Sequence, residues 1–256
     1  PPGVDLNSFD DVIIRRGGVL GVRADTALDL RTFAPQWDGP ARSFLQIDGD
    51  DGVIYPDVWV IDGFTVIGCG ITNRLNSVVI GSDGVLTHLA NYSKETYKLA
   101  LTLAGDLTVR SNGAVTVTGR GYAAYVHGLG PGSGGGGTFP GAAHGGTSLN
   151  RGSPNTNTYG SVLCPTNAGS SGIYSAGGGI IILTVTGTIT VEAAGSIVAD
   201  GVEGLGPGSG GSVNLRTGFL VGGGSIRADA KKYGNYGSSG YGTAGGGRIA
   251  VTLTGE

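Results

Sequence analysis

LTLAGDLTVRSNGAVTVTG, residues 101–119, returns almost unchanged as LTVTGTITVEAAGSIVADG, residues 183–201, at a constant offset of 82 residues. Within each copy, apolar residues alternate with small or polar ones, and this period-two pattern rich in Val, Ile and Thr predicts half-buried β-strands. Glycines inside each copy indicate tight bends between three short strands. The alternation predicts one inward row of side chains stacked between the copies: Leu101, Leu103, Leu107, Val109, Leu183, Val185, Ile189 and Val191.

A unit of this size gains a core only by stacking on further units, and the rest of the chain supplies them. A glycine followed by a small or apolar pair recurs at Gly18, Gly52, Gly84, Gly113, Gly195 and Gly224. Most of these glycines lie about 30 residues apart, which is typical of one coil of a parallel β-helix. We therefore expect an all-β fold, a single-stranded, right-handed parallel β-helix (β-solenoid) with glycine-rich loop excursions. It should form one domain over residues 1–256, with divergent N-terminal coils in residues 1–75 and glycine-rich coils in residues 76–256.

Composition narrows the class of protein. Glycine supplies 53 of 256 residues, but there is no Gly-X-Y period, and the apolar runs are too regular for a disordered chain. The net charge is −3 and no basic stripe is present, which argues against a nucleic-acid partner. No run of apolar residues is long enough to span a bilayer, which argues against membrane insertion.

The glycine-rich segments are themselves repetitive. GLGPGSGG occurs at residues 128–135 and again at 204–211. Together with HGGTS, YGSVLCPTNAGSSG, AGGGIIILTVTGTITVEAAGSIVADG, GSGGSVNLRTGFLVGGGSIRADA and AGGGRIAVTL, this pattern resembles the glycine-rich parallel β-solenoid repeats of very large secreted or surface proteins of environmental bacteria. The resemblance covers residues 76–256. It implies a secreted or cell-surface, adhesive or matrix module and brings no catalytic residue set with it.

Tyrosines concentrate in the two glycine-rich excursions, residues 120–179 and 230–247. Loops on a rigid scaffold often carry binding residues, and aromatic rings among small residues stack on sugars or pack against partner surfaces. The alternative is that these loops pack on one another. The candidate contacts to a polysaccharide or to a neighbouring protein subunit are Tyr122, Tyr125, Tyr159, Tyr233, Tyr236 and Tyr241.

Two further features suggest structural sites. Asp48, Asp50 and Asp51 form an acidic bend that could hold a structural calcium, the one cofactor we consider, although Asp and Gly are equally typical of a solvated turn. An even count of cysteines, Cys69 and Cys164, predicts one disulfide in an oxidising compartment. The alternative is two separate buried thiols.

Two other functions remain open at this point. Parallel β-helices also host polysaccharide lyases and glycoside hydrolases. A hydrolase needs two facing carboxylates, for which Asp106 and Asp200 are available, and a lyase needs a basic residue such as Arg110 or Arg227. A filament or phage-fibre subunit would instead present an exposed terminal strand at residues 248–253, because uncapped strand edges pair readily.

Overall fold

The computed structural model describes residues 5–9, 12–15, 17–37, 39, 43–134, 141–150, 153–204, 206–231 and 242–255. Within these ranges the chain is all β, with one 3₁₀ turn at Leu6–Ser8 and no α-helix. The strands in chain order are β1 (Ile13–Ile14), β2 (Gly18–Arg23), β3 (Leu28–Asp29), β4 (Gln36–Trp37), β5 (Ser43–Asp48), β6 (Val53–Ile54), β7 (Val58–Ile61), β8 (Thr65–Gly68), β9 (Ser77–Ile80), β10 (Val85–Thr87), β11 (Leu99–Leu103), β12 (Leu107–Val109), β13 (Ala114–Thr116), β14 (Ser148–Asn150), β15 (Ser153–Asn155), β16 (Ile180–Val191), β17 (Ser196–Val198), β18 (Ser212–Gly222), β19 (Ser225–Arg227) and β20 (Arg248–Leu253).

Two parallel seven-stranded sheets contain most of these strands. The first sheet has the order β19-β17-β13-β10-β8-β5-β2, and the second has the order β20-β18-β16-β12-β9-β7, with β11 also paired to β16. Smaller pairs are β1 with β4, β3 with β6, and the antiparallel hairpin of β14 and β15. Because strands close in sequence fall in different sheets, the chain passes back and forth between the sheets as it advances along them.

The repeat at residues 101–119 and 183–201 sets the register of the second sheet, as predicted. Leu101 pairs with Leu183 and Leu103 with Val185, while Leu107 pairs with Ile189 and Val109 with Val191. All eight of these side chains are buried. The inward row and its 82-residue offset are therefore confirmed.

A single hydrophobic cluster runs through the molecule, from Val22 near the start to Ala228 near the end. The inward residues of the first sheet stack in one line of paired positions: Leu20, Leu45, Val66, Leu86, Val115, Ile197 and Ile226. Since each inward residue contacts its equivalent in the next strand, the core is built strand by strand along the sheet axis.

The prediction of a uniform repeat near 30 residues is wrong at its N-terminal end. Gly84, Gly113 and Gly195 do occupy equivalent places, because each accepts a main-chain hydrogen bond from the residue that begins the next strand of the first sheet. Gly52, however, precedes β6, which pairs with β3 outside that sheet. The residues that do stack on Val19 are Phe44, Thr65 and Val85, so the N-terminal repeats are shorter than predicted.

The glycine-rich excursions form a packed arrangement of their own, which we call the glycine layer. Its segments are residues 121–122, 141–146, 168–172, 176–179, 206–211 and 243–247. They exchange main-chain hydrogen bonds, among them Gly121 N–H to Gly177 C=O, Gly169 N–H to Gly178 C=O, Gly178 N–H to Ser209 C=O and Gly245 N–H to Ala142 C=O. Glycine is needed here for close approach, because a methyl group at Gly177 would overlap the carbonyl oxygen of Gly169.

In the part of the chain that the structure describes, there is no helix long and apolar enough to cross a membrane.

Candidate functional site

The second sheet ends at β7 because the chain preceding it leaves the sheet, and this departure opens a cleft. The equivalent strand on the N-terminal side is β4, but β4 pairs with β1. Among the described strands, β7 pairs only with β9. The two strands therefore separate, and the space between them is the N-terminal cleft.

Local chemistry explains the separation. The chain still follows its neighbour at Leu30, whose N–H donates to the carbonyl of Ile54 at 2.9 Å. It then turns sharply, because the N–H groups of Thr32 and Phe33 both donate back to the carbonyl of Asp29. Each wall of the cleft also carries a proline, Pro35 on one side and Pro56 on the other. A proline has no N–H for a strand ladder, so pairing across the gap is disfavoured.

The N-terminal cleft has a volume of about 410 Å³ and an aromatic lining. Trp37 stacks on Phe64 with ring centroids 4.3 Å apart, and Trp59 meets Tyr55 edge-on at 5.2 Å. The lining residues are Leu30, Arg31, Phe33, Ala34, Pro35, Trp37, Leu45, Pro56, Val58, Trp59, Val60 and Phe64. An apolar concavity of this size is within the usual range of ligand pockets.

The charge on the cleft lining is neutralised locally. The guanidinium of Arg31 donates from Nε and Nη2 to the two carboxylate oxygens of Asp29, at 2.8 and 2.6 Å. The hydrogen bonds from Arg31 hold the pKa of Asp29 below its usual value. The described lining of the cleft is therefore mainly apolar, and the ion pair of Arg31 with Asp29 lies at its rim.

A second open groove, of about 440 Å³, lies over the outer face of the first sheet. It is lined by Phe44, Thr65, Val85, Thr87, Thr116, Thr118 and Arg120. These described lining residues include one cation and no carboxylate, so they do not form the facing carboxylate pair that a glycoside hydrolase requires.

The two carboxylates considered for a hydrolase are engaged in joining neighbouring strands. Asp106 Oδ1 accepts the N–H of Thr188 at 2.7 Å. Asp200 is buried, accepts the N–H of Asp229 at 2.8 Å and pairs with Lys231 at 3.1 Å and with Arg227 at 3.6 Å. Both groups therefore have a structural use where the structure places them.

The proposed calcium ligands Asp48, Asp50 and Asp51 are not gathered around a common point. Asp48 and Asp51 are exposed, while Asp50 is fully buried and accepts hydrogen bonds from Thr72 N and Oγ1 and from Asn73 N, at 2.8 to 3.0 Å. Within the described ranges, no group of three or more His, Cys, Asp or Glu side chains could hold a metal ion. This corrects the calcium prediction. The acidic bend is stabilised by hydrogen bonds from Thr72 and Asn73, in the next repeat, to the carboxylate of Asp50.

Replacing Asp50 should test that role. Asp50→Asn turns an acceptor oxygen into a donor facing N–H groups, so we expect a loss of about 2 kcal/mol in the free energy of unfolding. Asp51→Asn, at the exposed neighbour, should change it by less than about 0.5 kcal/mol. Urea unfolding of both variants measures the difference. Equal stability of the two variants would contradict the assignment.

The predicted disulfide is not formed, and both cysteines are free. Cys69 follows β8 of the first sheet, where its sulfur accepts the N–H of Leu89 at 3.1 Å and burial raises its thiol pKa. Cys164 is exposed, and its sulfur accepts a hydrogen bond from Asn214 of β18 in the second sheet at 3.4 Å. The two sulfurs are thus held at different sheets, which corrects the pairing.

The structure describes half of the tyrosines proposed as contacts. Tyr122 is buried against Ala168 and Ile180 inside the glycine layer, and the hydroxyl of Tyr159 lies 2.5 Å from the carbonyl of Ala168, to which it donates. Tyr125 is 44% exposed. Tyr233, Tyr236 and Tyr241 lie outside the described residues. Of the three described tyrosines, Tyr125 therefore has the ring most open to solvent, and the other two pack within the layer.

Two histidines, His88 and His144, are buried and link segments of the chain by hydrogen bonds. His88 Nε2 accepts the N–H of Ile180 at 3.1 Å, so its Nδ1 carries the proton that is donated to Leu89 C=O at 2.6 Å. Burial lowers the pKa of His88 to about 4. His144 donates from Nδ1 to Gly210 C=O at 2.7 Å, and burial likewise lowers its pKa to about 4. Both rings are therefore neutral at physiological pH.

Comparison with known proteins adds no relative: no family model, no curated protein and no solved structure matches the chain.

Proposed function

We propose that the chain is a non-enzymatic structural and adhesive module of a secreted or cell-surface protein, built as a right-handed parallel β-solenoid. From β7 onward, strands of the second sheet alternate along the chain with strands of the first sheet, apart from the consecutive strands β11 and β12, and this alternation supports the coil path. Right-handed connection is the general rule for parallel strands. The partner of such a module is a polysaccharide or a neighbouring protein subunit.

The main support for this proposal is that the inward-facing apolar positions of the second sheet continue to its last strand, β20, where they are exposed. Ile249, Val251 and Leu253 of β20 are paired with Val213, Leu215 and Thr217 of β18, all three of which are fully buried. The three β20 side chains are nevertheless 44, 43 and 60% exposed. They occupy core positions that lack a covering coil, so β20 presents a surface suited to a further coil.

The use of the polar side chains also supports a non-enzymatic role. Buried Asp50, Asp200 and His88 each hold main-chain groups of another segment. Asn91, which begins a glycosylation-type sequence, is buried too, and its amide group bonds to the main chain at Thr96, Tyr97 and Arg120. These groups stiffen the frame on which contact surfaces are presented.

In the second candidate function, a filament or fibre subunit whose copies join end to end, another copy of the chain would cover the apolar row of β20. Main-chain groups on the outer side of an edge strand can pair with a strand of another molecule, and the exposed apolar row would be buried by that pairing. This candidate differs from the first in requiring self-association of the isolated chain.

A lysine introduced among the exposed apolar side chains of β20 (Ile249, Val251 and Leu253) tests whether copies of the chain associate. If the chain is a filament subunit, it should self-associate as concentration rises, and Val251→Lys should remain monomeric because a lysine would have to be buried in the joined core. Thr252→Lys, on the opposite face of the same strand, should associate like the unmodified chain. Light scattering across a concentration series measures the mass. A chain that stays monomeric at every concentration, or equal behaviour of the two variants, would exclude the filament candidate.

A further inference from the structure

We propose that the N-terminal cleft binds an extended, uncharged polypeptide segment, which pairs with the free edge of β7 and packs aliphatic side chains against the aromatic wall opposite β7 and the aromatic base of the cleft. This inference concerns the end of the second sheet opposite to β20.

The main chain of β7 has hydrogen-bonding groups on the side that faces the cleft. Ser77 N–H donates to Asp57 C=O at 3.0 Å, and Gly81 N–H donates to Ile61 C=O at 2.8 Å. Alternate residues of a parallel strand direct both of their main-chain groups to the same side. Asp57 and Ile61 therefore face β9, while Val58 and Val60 present their N–H and C=O groups to the cleft.

Regularly alternating donors and acceptors are the recognition element of strand addition. An extended peptide supplies the matching groups at the strand repeat of about 3.3 Å, and side-chain pockets then select among peptides. β7 has four residues, so the paired segment should be about four residues long.

The side chains that line the cleft are mostly apolar and aromatic. Phe33, Pro35 and Trp37 face β7 across the cleft, and Trp59 and Phe64 contribute to its base. Aromatic and proline surfaces favour aliphatic or proline side chains through apolar burial. Among the described lining residues, the one charged group is that of Arg31, which is already neutralised by Asp29. A charged segment would thus lose its hydration without gaining a partner, and an uncharged one fits.

Tryptophan fluorescence can show whether the cleft is occupied. The chain has 2 tryptophans, and both of them, Trp37 and Trp59, line the cleft. Trp37 is half-buried, whereas Trp59 is already buried. A segment that enters the cleft therefore excludes water mainly from the ring of Trp37, and tryptophan emission should change as the cleft fills.

The experiment uses a capped synthetic peptide with the sequence of Ile249–Leu253, which is uncharged and alternates apolar side chains. Titration into the whole chain should give a saturable change in tryptophan emission. Two N-methylated forms of the peptide, modified at alternate positions, keep the side chains but block the N–H groups on one side or the other. Only the form blocked on the β7 side should weaken binding, by about tenfold for two lost hydrogen bonds.

Variants of the chain supply the controls. Trp37→Ala should lose binding, while Trp37→Phe, which can keep a stacked ring against Phe64, should retain it. Because both changes remove the more exposed tryptophan, titration calorimetry measures the binding of these two variants. Phe219→Ala, at an exposed aromatic ring on the outer face of β18, should bind as the unmodified chain does. Thermal unfolding of each variant separates loss of binding from loss of fold.

Three results would overturn the inference. The first is no change of emission with the peptide. The second is an equal effect of the two N-methylation patterns, which would show side-chain contact without strand pairing. The third is a saturable response to neutral oligosaccharides such as cellohexaose in place of the peptide, which would assign the cleft to a glycan.

Discussion

A single methyl group added at Gly177 should destabilise the protein by about 3 kcal/mol, because the glycine layer leaves no room for it. Gly177 is bonded on both sides: its N–H donates to Tyr122 C=O at 3.0 Å, and its carbonyl accepts from Gly121 N–H at 2.8 Å. A methyl group there would overlap the main chain of Gly169. Since a carbonyl group cannot move aside like a flexible side chain, Gly177→Ala must push two hydrogen-bonded segments apart.

Gly246→Ala is the matched control for this prediction. Gly246 belongs to the same layer, but a methyl group at its position meets no atom within 4 Å. Neither glycine has φ in the left-handed region, so alanine is compatible with the main-chain conformation at both. We expect Gly246→Ala to be neutral or stabilising by a few tenths of a kcal/mol, through reduced freedom of the unfolded chain. Denaturant unfolding measures both variants, and similar stabilities would show that the layer is loosely packed.

The sequence was sufficient to predict the regular part of the fold. The copies at residues 101–119 and 183–201 pair at the predicted offset, because an inward row with period two is buried only in one register. It was insufficient for the first repeats, where Gly52 suggested the wrong spacing. There the length of each turn depends on contacts such as Asp50 with Thr72 and Asn73, more than twenty residues away. Such long-range contacts leave no periodic trace in the sequence.

The candidate site was missed for a related reason. Tyrosines among glycines suggested a contact surface, yet Tyr122 and Tyr159 fill space inside the glycine layer, where neighbouring glycines have no side chains to fill it. The N-terminal cleft depends instead on two strands failing to pair. The available signal was that both tryptophans, Trp37 and Trp59, and two prolines, Pro35 and Pro56, fall in the divergent N-terminal part. That composition indicates an apolar surface there, but not its shape.

Acidification should destabilise the fold between pH 6.5 and about 4, and His88 and His144 should account for much of the loss. Both rings are fully buried, and burial lowers the pKa of each to about 4. An unfolded histidine titrates near 6.5, so below that pH the unfolded state binds more protons than the folded state, and stability falls as pH falls. The stabilisation is fully present above pH 6.5 and is lost by the time the folded pKa is reached.

The structural cost of protonation is clear at both histidines. A protonated His88 would direct an Nε2–H at the N–H of Ile180 and break the link between its own strand region and the start of β16. His144 Nε2 is buried with no hydrogen-bond partner among the described residues, so a proton there would be an unpaired buried charge. Arg120 beside His88 and Arg248 beside His144 oppose protonation further. From the pKa difference, each ring should contribute about 3 kcal/mol over this pH range.

The measurement is the free energy of unfolding at a series of pH values from 7.5 to 4. Replacing His88 or His144 with Gln should lower stability at pH 7.5 but flatten its dependence on pH, because the titrating group is gone. His127→Gln is the control, since His127 is exposed and should leave the pH profile unchanged. Carboxylates that titrate near pH 4 affect all variants alike, so the difference between profiles isolates the histidines. A profile that is equally steep with both buried histidines replaced would assign acid sensitivity to other groups.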